Sequence, residues 1–185
     1  SKEINLLANK IISLNNKFIK KKVKVLSEND ILLITYADTI KEKNSKSFFV
    51  LNKFLKNYIK QAFSIIHILP FYPSSSDGGF SVVDFFKVDS KHGNWNDIKN
   101  LSRNYKIMID IVLNHGSRKS KWFENFIKDK GEGKNFYFYL NKYQNLNHVV
   151  RARSHRLLQK VKTKRNIKYL WCTFSPDQID FDYRN

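Results

Sequence analysis

The sequence predicts an α/β fold built on a parallel sheet. Three apolar runs of strand length, residues 31–36, 65–69 and 107–113, alternate with segments whose apolar residues recur every three or four positions. Strands that are apolar almost throughout belong to a parallel sheet covered by helices on both faces, since an antiparallel sheet with one wet side would alternate. Doubly wound sheets and barrels both satisfy this pattern. A third observation concerns chemistry: the last run leads into Asp110, Asn114 and His115, and the second is followed by Asp77 and Phe80. Polar and aromatic groups just past strand ends are the usual position of an α/β site.

Taken in order, Ile4, Leu7, Ala8, Ile11, Ile12, Leu14, Phe18 and Ile19 mark an amphipathic helix over residues 4–19. Residues 31–36 form the first strand, and Ser45 or Ser47 is expected to cap a helix carrying Phe48, Leu51, Phe54, Leu55 and Ile59. The second strand, residues 65–69, is followed by a long loop and a helix over residues 94–101. Residues 107–113 then make the third strand, so the order is β-α-β-α-β. Beyond Ser117 a short helix over residues 121–127 and a Gly131-Glu132-Gly133 break precede aromatic and basic sequence without clear periodicity, read as a small excursion. The division expected is 1–117 for the sheet and its helices and 118–185 for the excursion.

At 185 residues the chain is long enough for one core. A net charge of +18 raises the possibility of a nucleic-acid or membrane partner. Lys outnumbers Arg 27 to 7, however, and the charge is spread along the chain apart from mild concentrations at residues 17–24 and 151–165, so solvated faces are its expected home. The single cysteine, Cys172, excludes an intramolecular disulfide and fits a reducing cytosol, which makes the cytoplasm the expected location. No apolar run approaches the ~20 residues that span a bilayer, and the first residues carry no secretory pattern.

Five blocks carry a family resemblance: Ile34-Thr35-Tyr36-Ala37-Asp38; His67-Ile68-Leu69-Pro70-Phe71-Tyr72-Pro73; Ser75-Ser76-Asp77-Gly78-Gly79-Phe80-Ser81-Val82-Val83-Asp84; Asp110-Ile111-Val112-Leu113-Asn114-His115; and Trp171-Cys172-Thr173-Phe174-Ser175-Pro176-Asp177-Gln178-Ile179-Asp180. In this order they resemble the sucrose phosphorylase branch of glycoside hydrolase family 13, the α-amylase superfamily. The resemblance implies a partial (β/α)8 TIM barrel, comprising the first three strands with their helices, and a domain B-like excursion truncated before the fourth strand. It also implies that Asp77 and His115 hydrogen-bond the hydroxyls of a glucosyl unit, that Phe80 lies under its ring, that Asp110 supports the site from beneath, and that Phe174 and Gln178 approach the acceptor. A sugar offers hydroxyls to charged acceptors and a C–H face to an aromatic ring, so these residue types suit it. Asn114 aligns with a calcium ligand of the amylases that the phosphorylase branch generally lacks, so neither metal nor cofactor is expected.

The reaction implied is retaining. One carboxylate attacks the anomeric carbon, a carboxylic acid about 5 Å away protonates the leaving oxygen, and phosphate takes the glucosyl group. In the family these acids follow later strands, and no acid here matches their motifs. A barrel of this type usually needs ~250 residues. The expectation is therefore the N-terminal portion of a glucosyl-transferring phosphorylase of the sucrose, glucosylglycerol or glucosylglycerate type, inactive alone. Its small-molecule partners would be a glucoside and inorganic phosphate, with a complementing C-terminal chain as a further partner and no membrane or nucleic acid. A basic nucleic-acid-binding module and a non-functional remnant remain the alternatives. Departures from the family include Ala152 and Arg156 where the branch usually has prolines, Phe85 where some members have histidine, and Gly116 after the Asn-His pair.

Among residues that could be mistaken for chemistry, His67 reads as a hydrogen-bonded core histidine, and His92, His148 and His155 as surface or loop residues without metal-ligand spacing. Trp95, Trp122, Trp171 and the aromatic cluster at 136–143 read as packing.

Overall fold

A computed structural model describes residues 2–18, 26–60 and 62–184. These fall into two compact units, Ser1–Asp30 and Ile31–Asn185. The first contains α1 (Lys2–Phe18), which coincides with the helix expected from the apolar spacing; Ile19 lies outside the described residues.

In the second unit, β1 (Leu32–Thr35), β2 (Ile65–Ile68) and β3 (Lys106–Ile109) form a parallel sheet in the order β1-β2-β3. Its register aligns Ile34, His67 and Met108 on one face and Leu33, Ile66 and Ile107 on the other. The second face is the core. Ile66 and Ile68 are fully buried there against Phe48, Leu51 and Leu55 from the first crossover helix and Ile98 and Leu101 from the second. The opposite face is open, with Ile34 56% and Met108 50% exposed. A sheet covered on both faces was expected, and the two crossover helices cover one. In a closed barrel the open face would be the interior, filled by side chains from all eight strands.

Helix α2 (Ser47–Phe54) starts without the serine cap expected at Ser45 or Ser47. Lys46 holds the N-cap position, and the amides of Ser47 and Phe48 donate to the carbonyls of Lys91 and His92 at 3.4 and 2.9 Å. Tertiary carbonyls thus satisfy the donors that a side-chain cap would otherwise serve. The helix widens into a π-helical turn over Leu55–Ile59, closed by Lys60 N–H donating to Leu55 O. Helix α3 (Trp95–Leu101) does have a side-chain cap. Asn94 accepts from Asn96 N–H, while Asp97 accepts from Asn94 N–H, each at 2.8 Å.

The third strand is shorter than its apolar run. β3 ends at Ile109, and Ile111 and Leu113 are exposed. Its neighbour β2 stops at Ile68 ahead of Leu69-Pro70, and proline has no N–H for a ladder, so nothing remains for the chain to pair with. Backbone pairing resumes at β4 (His115–Ser117), which runs antiparallel to β8 (Gln178–Asp180) with His115 opposite Asp180 and Ser117 opposite Gln178.

Between these partners lies the excursion. Helix α4 (Lys121–Lys128) is capped by Ser120 Oγ accepting from Phe123 N–H, and it packs Phe123 and Phe126 against Tyr137, Leu170, Cys172 and Ile179. The stretch that showed no periodicity forms an antiparallel sheet, β5 (Tyr139–Leu140), β6 (Leu158–Lys162) and β7 (Ile167–Trp171), in the order β5-β7-β6. Gly116 belongs to this packing, since a Cβ there would come within 2.8 Å of the Phe181 ring.

The capping box gives a direct check. Asn94→Ala is expected to destabilise the second unit by about 1 kcal/mol, read as a lower urea midpoint at unchanged slope. An unchanged midpoint would show that the cap is not formed.

Candidate functional site

The loop after β2 is folded by its own sequence. Asp77–Gly79 forms a single 3-10 turn in which Asp77, Gly78 and Gly79 all have positive φ, 59°, 58° and 107°. Gly79 cannot be replaced without movement: a Cβ there would lie 2.4 Å from Pro70 O. The turn leaves Asp77 exposed and Phe80 half-buried, packed against the core beneath the sheet. A cavity of about 480 Å³ opens beside the turn, bounded by Tyr36, Asp38, Tyr72, Asp77, Gly78 and His92.

The β4–β8 pair brings two further polar side chains to this loop. His115 is 4% exposed and Gln178 1%. Gln178 Nε2 donates to Asp77 Oδ2 at 2.8 Å and lies 3.0 Å from His115 Nε2, so one amide nitrogen stands against both the carboxylate and the imidazole. Turning the amide over would set its carbonyl against the carboxylate, which fixes the nitrogen on the Asp77 side. The carbonyl, Gln178 Oε1, is buried and has no hydrogen-bond partner. His115 Nε2 is also 3.0 Å from the Phe80 carbonyl, while Nδ1 is 3.5 Å from Asn114 Nδ2. An Nε2–H tautomer serves these two contacts, donating to Phe80 O and accepting from Asn114, and it leaves Gln178 Nε2 in contact with His115 Nε2 without a hydrogen bond between them. The Phe174 ring stands 5.0 Å from the imidazole, centre to centre. Burial pushes the His115 pKa below the ordinary histidine value, against the opposing pull of the Phe80 carbonyl and the carboxylates of Asp180 and Asp77.

Residues 53–185 match the family model described as the α-amylase catalytic domain. Glucosylglycerate phosphorylase of Allomeiothermus silvanus is 42% identical over 86% of this chain and 29% of its own length; that of Escherichia coli K12 is 37% identical over 97% of this chain and 32% of its own. The crystal structure of sucrose 6F-phosphate phosphorylase from Thermoanaerobacter thermosaccharolyticum superposes with a TM-score of 0.76 at 29% identity, covering 88% of this chain and 35% of that one. The chain belongs to the α-amylase family. It spans about a third of the length of these relatives, and its parallel three-stranded sheet is part of the family's TIM barrel.

Of the site residues expected from the α-amylase family pattern, the structure brings Asp77, His115 and Gln178 together, and Phe80 joins them through its backbone carbonyl while its ring packs against the core. Asp110 stands in a different set of contacts. Its carboxylate is 3.0 Å from His67 Nε2, and its backbone carbonyl accepts from Tyr72 OH at 3.3 Å. It therefore does not share one constellation with Asn114 and His115, because β3 stops at Ile109 and the residues that follow are not held in a strand. His67 is hydrogen-bonded as expected, and His148 is exposed. His92 is not at the surface: it is buried against the Phe48 ring and within 3.2 Å of Ser47 Oγ.

Sequence reasoning missed Asp177 and its serines. Asp177 Oδ2 accepts from Ser75, Ser76 and Ser81. A larger cavity, about 640 Å³, lies at the N-terminal ends of β2 and β3 and is lined by Lys56, Lys60 and Lys106 among others. A barrel of this family works from the C-terminal ends of its strands, so the smaller cavity beside Asp77 is the candidate site. Burial pushes the Cys172 thiol up to about 12, which removes it as a nucleophile. Among the described residues no cluster of His, Cys, Asp or Glu has a metal-binding arrangement, and no helix is long and apolar enough to cross a membrane.

The buried imidazole sets a pH dependence. Both His115 and His92 have folded pKa values below 6.5, mainly through burial, so the unfolded chain takes up protons first as the solution is acidified. Stability is complete above about pH 6.5 and falls as pH drops from there through the folded values. Thermal unfolding between pH 7.5 and 5 is expected to show this loss, and His115→Gln to reduce it. A flat profile in the wild type would contradict the buried neutral histidines.

Proposed function

We propose that this chain forms the glucosyl-holding part of a retaining phosphorylase that transfers glucose between a small glucoside and inorganic phosphate. The observation that carries the reading is the convergence of Asp77, His115 and Gln178 at one amide nitrogen, with the Phe80 carbonyl against the imidazole and an unspent acceptor in Gln178 Oε1. Carboxylate, imidazole and amide suit the hydroxyls of a pyranose, and the phenylalanine suits its C–H face. Asp77 and His115 bind glucosyl hydroxyls, Phe80 supports the ring, and Gln178 with Phe174 faces the acceptor. Asp110, held by His67, supports the site from outside the contact set. Residues 1–117 correspond to the start of the barrel and 118–185 to its domain B-like excursion.

Glucosylglycerate is the donor we favour, since the glucosylglycerate phosphorylases show 37–42% identity and the sucrose phosphorylase of Streptococcus mutans 33%. No acid in the chain matches the family's nucleophile or acid/base motifs, so it does not cleave a glycosidic bond alone. The open face carrying Ile34 and Met108, together with the position of β3 at the edge of the sheet among the described residues, fits a complementing chain that supplies the rest of the barrel. The single buried cysteine agrees with a cytoplasmic setting.

Two outcomes test the reading. Titrating the chain with glucose under NMR observation is expected to shift resonances of His115 and Gln178 and to give an affinity weakened at least ~10-fold by Asp77→Ala, the usual effect of losing hydrogen bonds to a charged group. Salt-sensitive binding of mixed RNA or DNA without glucose binding would instead support the nucleic-acid alternative. In sedimentation velocity the chain alone is expected to self-associate through its open sheet; a monomer with fully protected β3 amides would contradict the complementing-chain proposal.

A further inference from the structure

Asp77 and Phe80 are on the loop after β2, whereas Gln178 is on a strand about a hundred residues later, at the far end of the excursion. Chain connectivity does not set their spacing. The structure places a single carboxylate between them. Asp177, next to Gln178, accepts through Oδ2 from Ser75 Oγ at 2.5 Å, from Ser76 Oγ at 2.7 Å and from Ser81 Oγ at 2.7 Å. These serines bracket the Asp77–Phe80 turn on both sides. A fourth serine, Ser117 on β4, lies 2.5 Å from Ser75 Oγ. It can donate to Ser75, which leaves the single protons of Ser75, Ser76 and Ser81 free to point at Asp177. Ser117 Oγ also accepts from Lys119 N–H at 2.9 Å.

The backbone completes the tie. Arg118 N–H donates to Asp177 O at 3.0 Å, Ser117 N–H to Val82 O at 2.9 Å, and Ser81 N–H to Ser76 O at 3.3 Å. Ser81 and Ser117 are fully buried and Asp177 is half-buried, so the Ser81 and Ser117 side of this cluster is shielded from competing water while Ser76 is exposed. Hydrogen bonds to an ionised acceptor are roughly twice as strong as neutral ones. Burial alone would raise the Asp177 pKa, but the hydroxyls of Ser75, Ser76 and Ser81, with Lys119 nearby, outweigh it and keep the group ionised.

We infer that Asp177 is a positioning residue: its carboxylate gathers the serines on either side of the Asp77–Phe80 turn and so holds Asp77 within hydrogen-bonding distance of Gln178, on one wall of the sugar site. The ligand part of this inference rests on the glucosyl reading above, while the geometric part does not. Asp177 touches no sugar itself and acts through the loop that carries Asp77.

The test compares the full chain with Asp177→Asn, Ser76→Ala and Asp177→Ala, using two readouts. The first is the Gln178 side-chain amide in 15N spectra, whose shift and exchange protection report its bond to Asp77. The second is glucose affinity by titration. Asp177→Asn is expected to move the Gln178 amide toward free-glutamine values, speed its exchange and weaken glucose binding at least 10-fold, while the β5–β7 resonances remain in place. Ser76→Ala, which removes one donor at an exposed position, is expected to change both readouts in the same direction by less, and it keeps the question open to measurement should Asp177→Ala fail to fold. A folded Asp177→Asn chain with unchanged Gln178 amide and unchanged affinity overturns the inference. If the wild type binds no glucose but its Gln178 amide responds to Asp177→Asn, positioning stands and the glucosyl reading fails.

Discussion

The antiparallel pairing of β4 with β8 is the constraint on which the site depends. It closes a loop of some sixty residues, at an entropic cost that grows only slowly with loop length, and what repays it is visible in the structure. The residues of the pair are buried or nearly so, Ile179 joins the aromatic cluster formed by Phe123, Phe126 and Tyr137, and the missing side chain of Gly116 leaves room for the Phe181 ring. Once the pair has formed, His115 and Gln178 are neighbours by register, and the loop carrying Asp77 needs only to reach them.

The resulting polar cluster is tightly constrained. A buried imidazole and an exposed carboxylate meet at one buried amide nitrogen, which donates to the carboxylate, and an acceptor is left over at Gln178 Oε1. Leaving a buried acceptor unmatched costs on the order of 1–3 kcal/mol, and such groups in native structures usually have a purpose connected with a ligand or with strain. The positive φ of Asp77, a non-glycine residue, is a second local cost at the same place. Both costs fall where the Asp77–Phe80 turn meets β8, close to the C-terminal ends of the parallel strands.

Much of this could be read from the sequence, for identifiable reasons. The strands showed because Ile65, Ile66 and Ile68 or Ile107 and Ile109 have no polar interruption, and α3 showed because Asn94 and Asp97 form a cap that depends on nearest neighbours alone. Asp77, Phe80, His115 and Gln178 were legible through ordered blocks rather than periodicity. The run at 107–113 misled because its apolar residues suit a closed barrel, whereas in this chain Ile111 and Leu113 meet solvent. The excursion's sheet was hidden because lysines interrupt its pattern: Lys168 on β7 lays its ammonium 3.5 Å from the centre of the Tyr139 ring, doing the work of an apolar side chain under a polar letter. Asp177 and its serines gave no signal, since three hydroxyls spread over a loop acquire a shared partner only when residues a hundred positions apart meet.

The central claim is that residues 77, 115 and 178 occupy one place. Nuclear Overhauser effects between the side-chain amide protons of Gln178 and the imidazole ring protons of His115, measured in the uniformly labelled chain without ligand, test it most directly. The account predicts strong cross-peaks, as expected for nitrogens 3.0 Å apart. Well-dispersed spectra in which both side chains are assigned and no such cross-peak appears would contradict it.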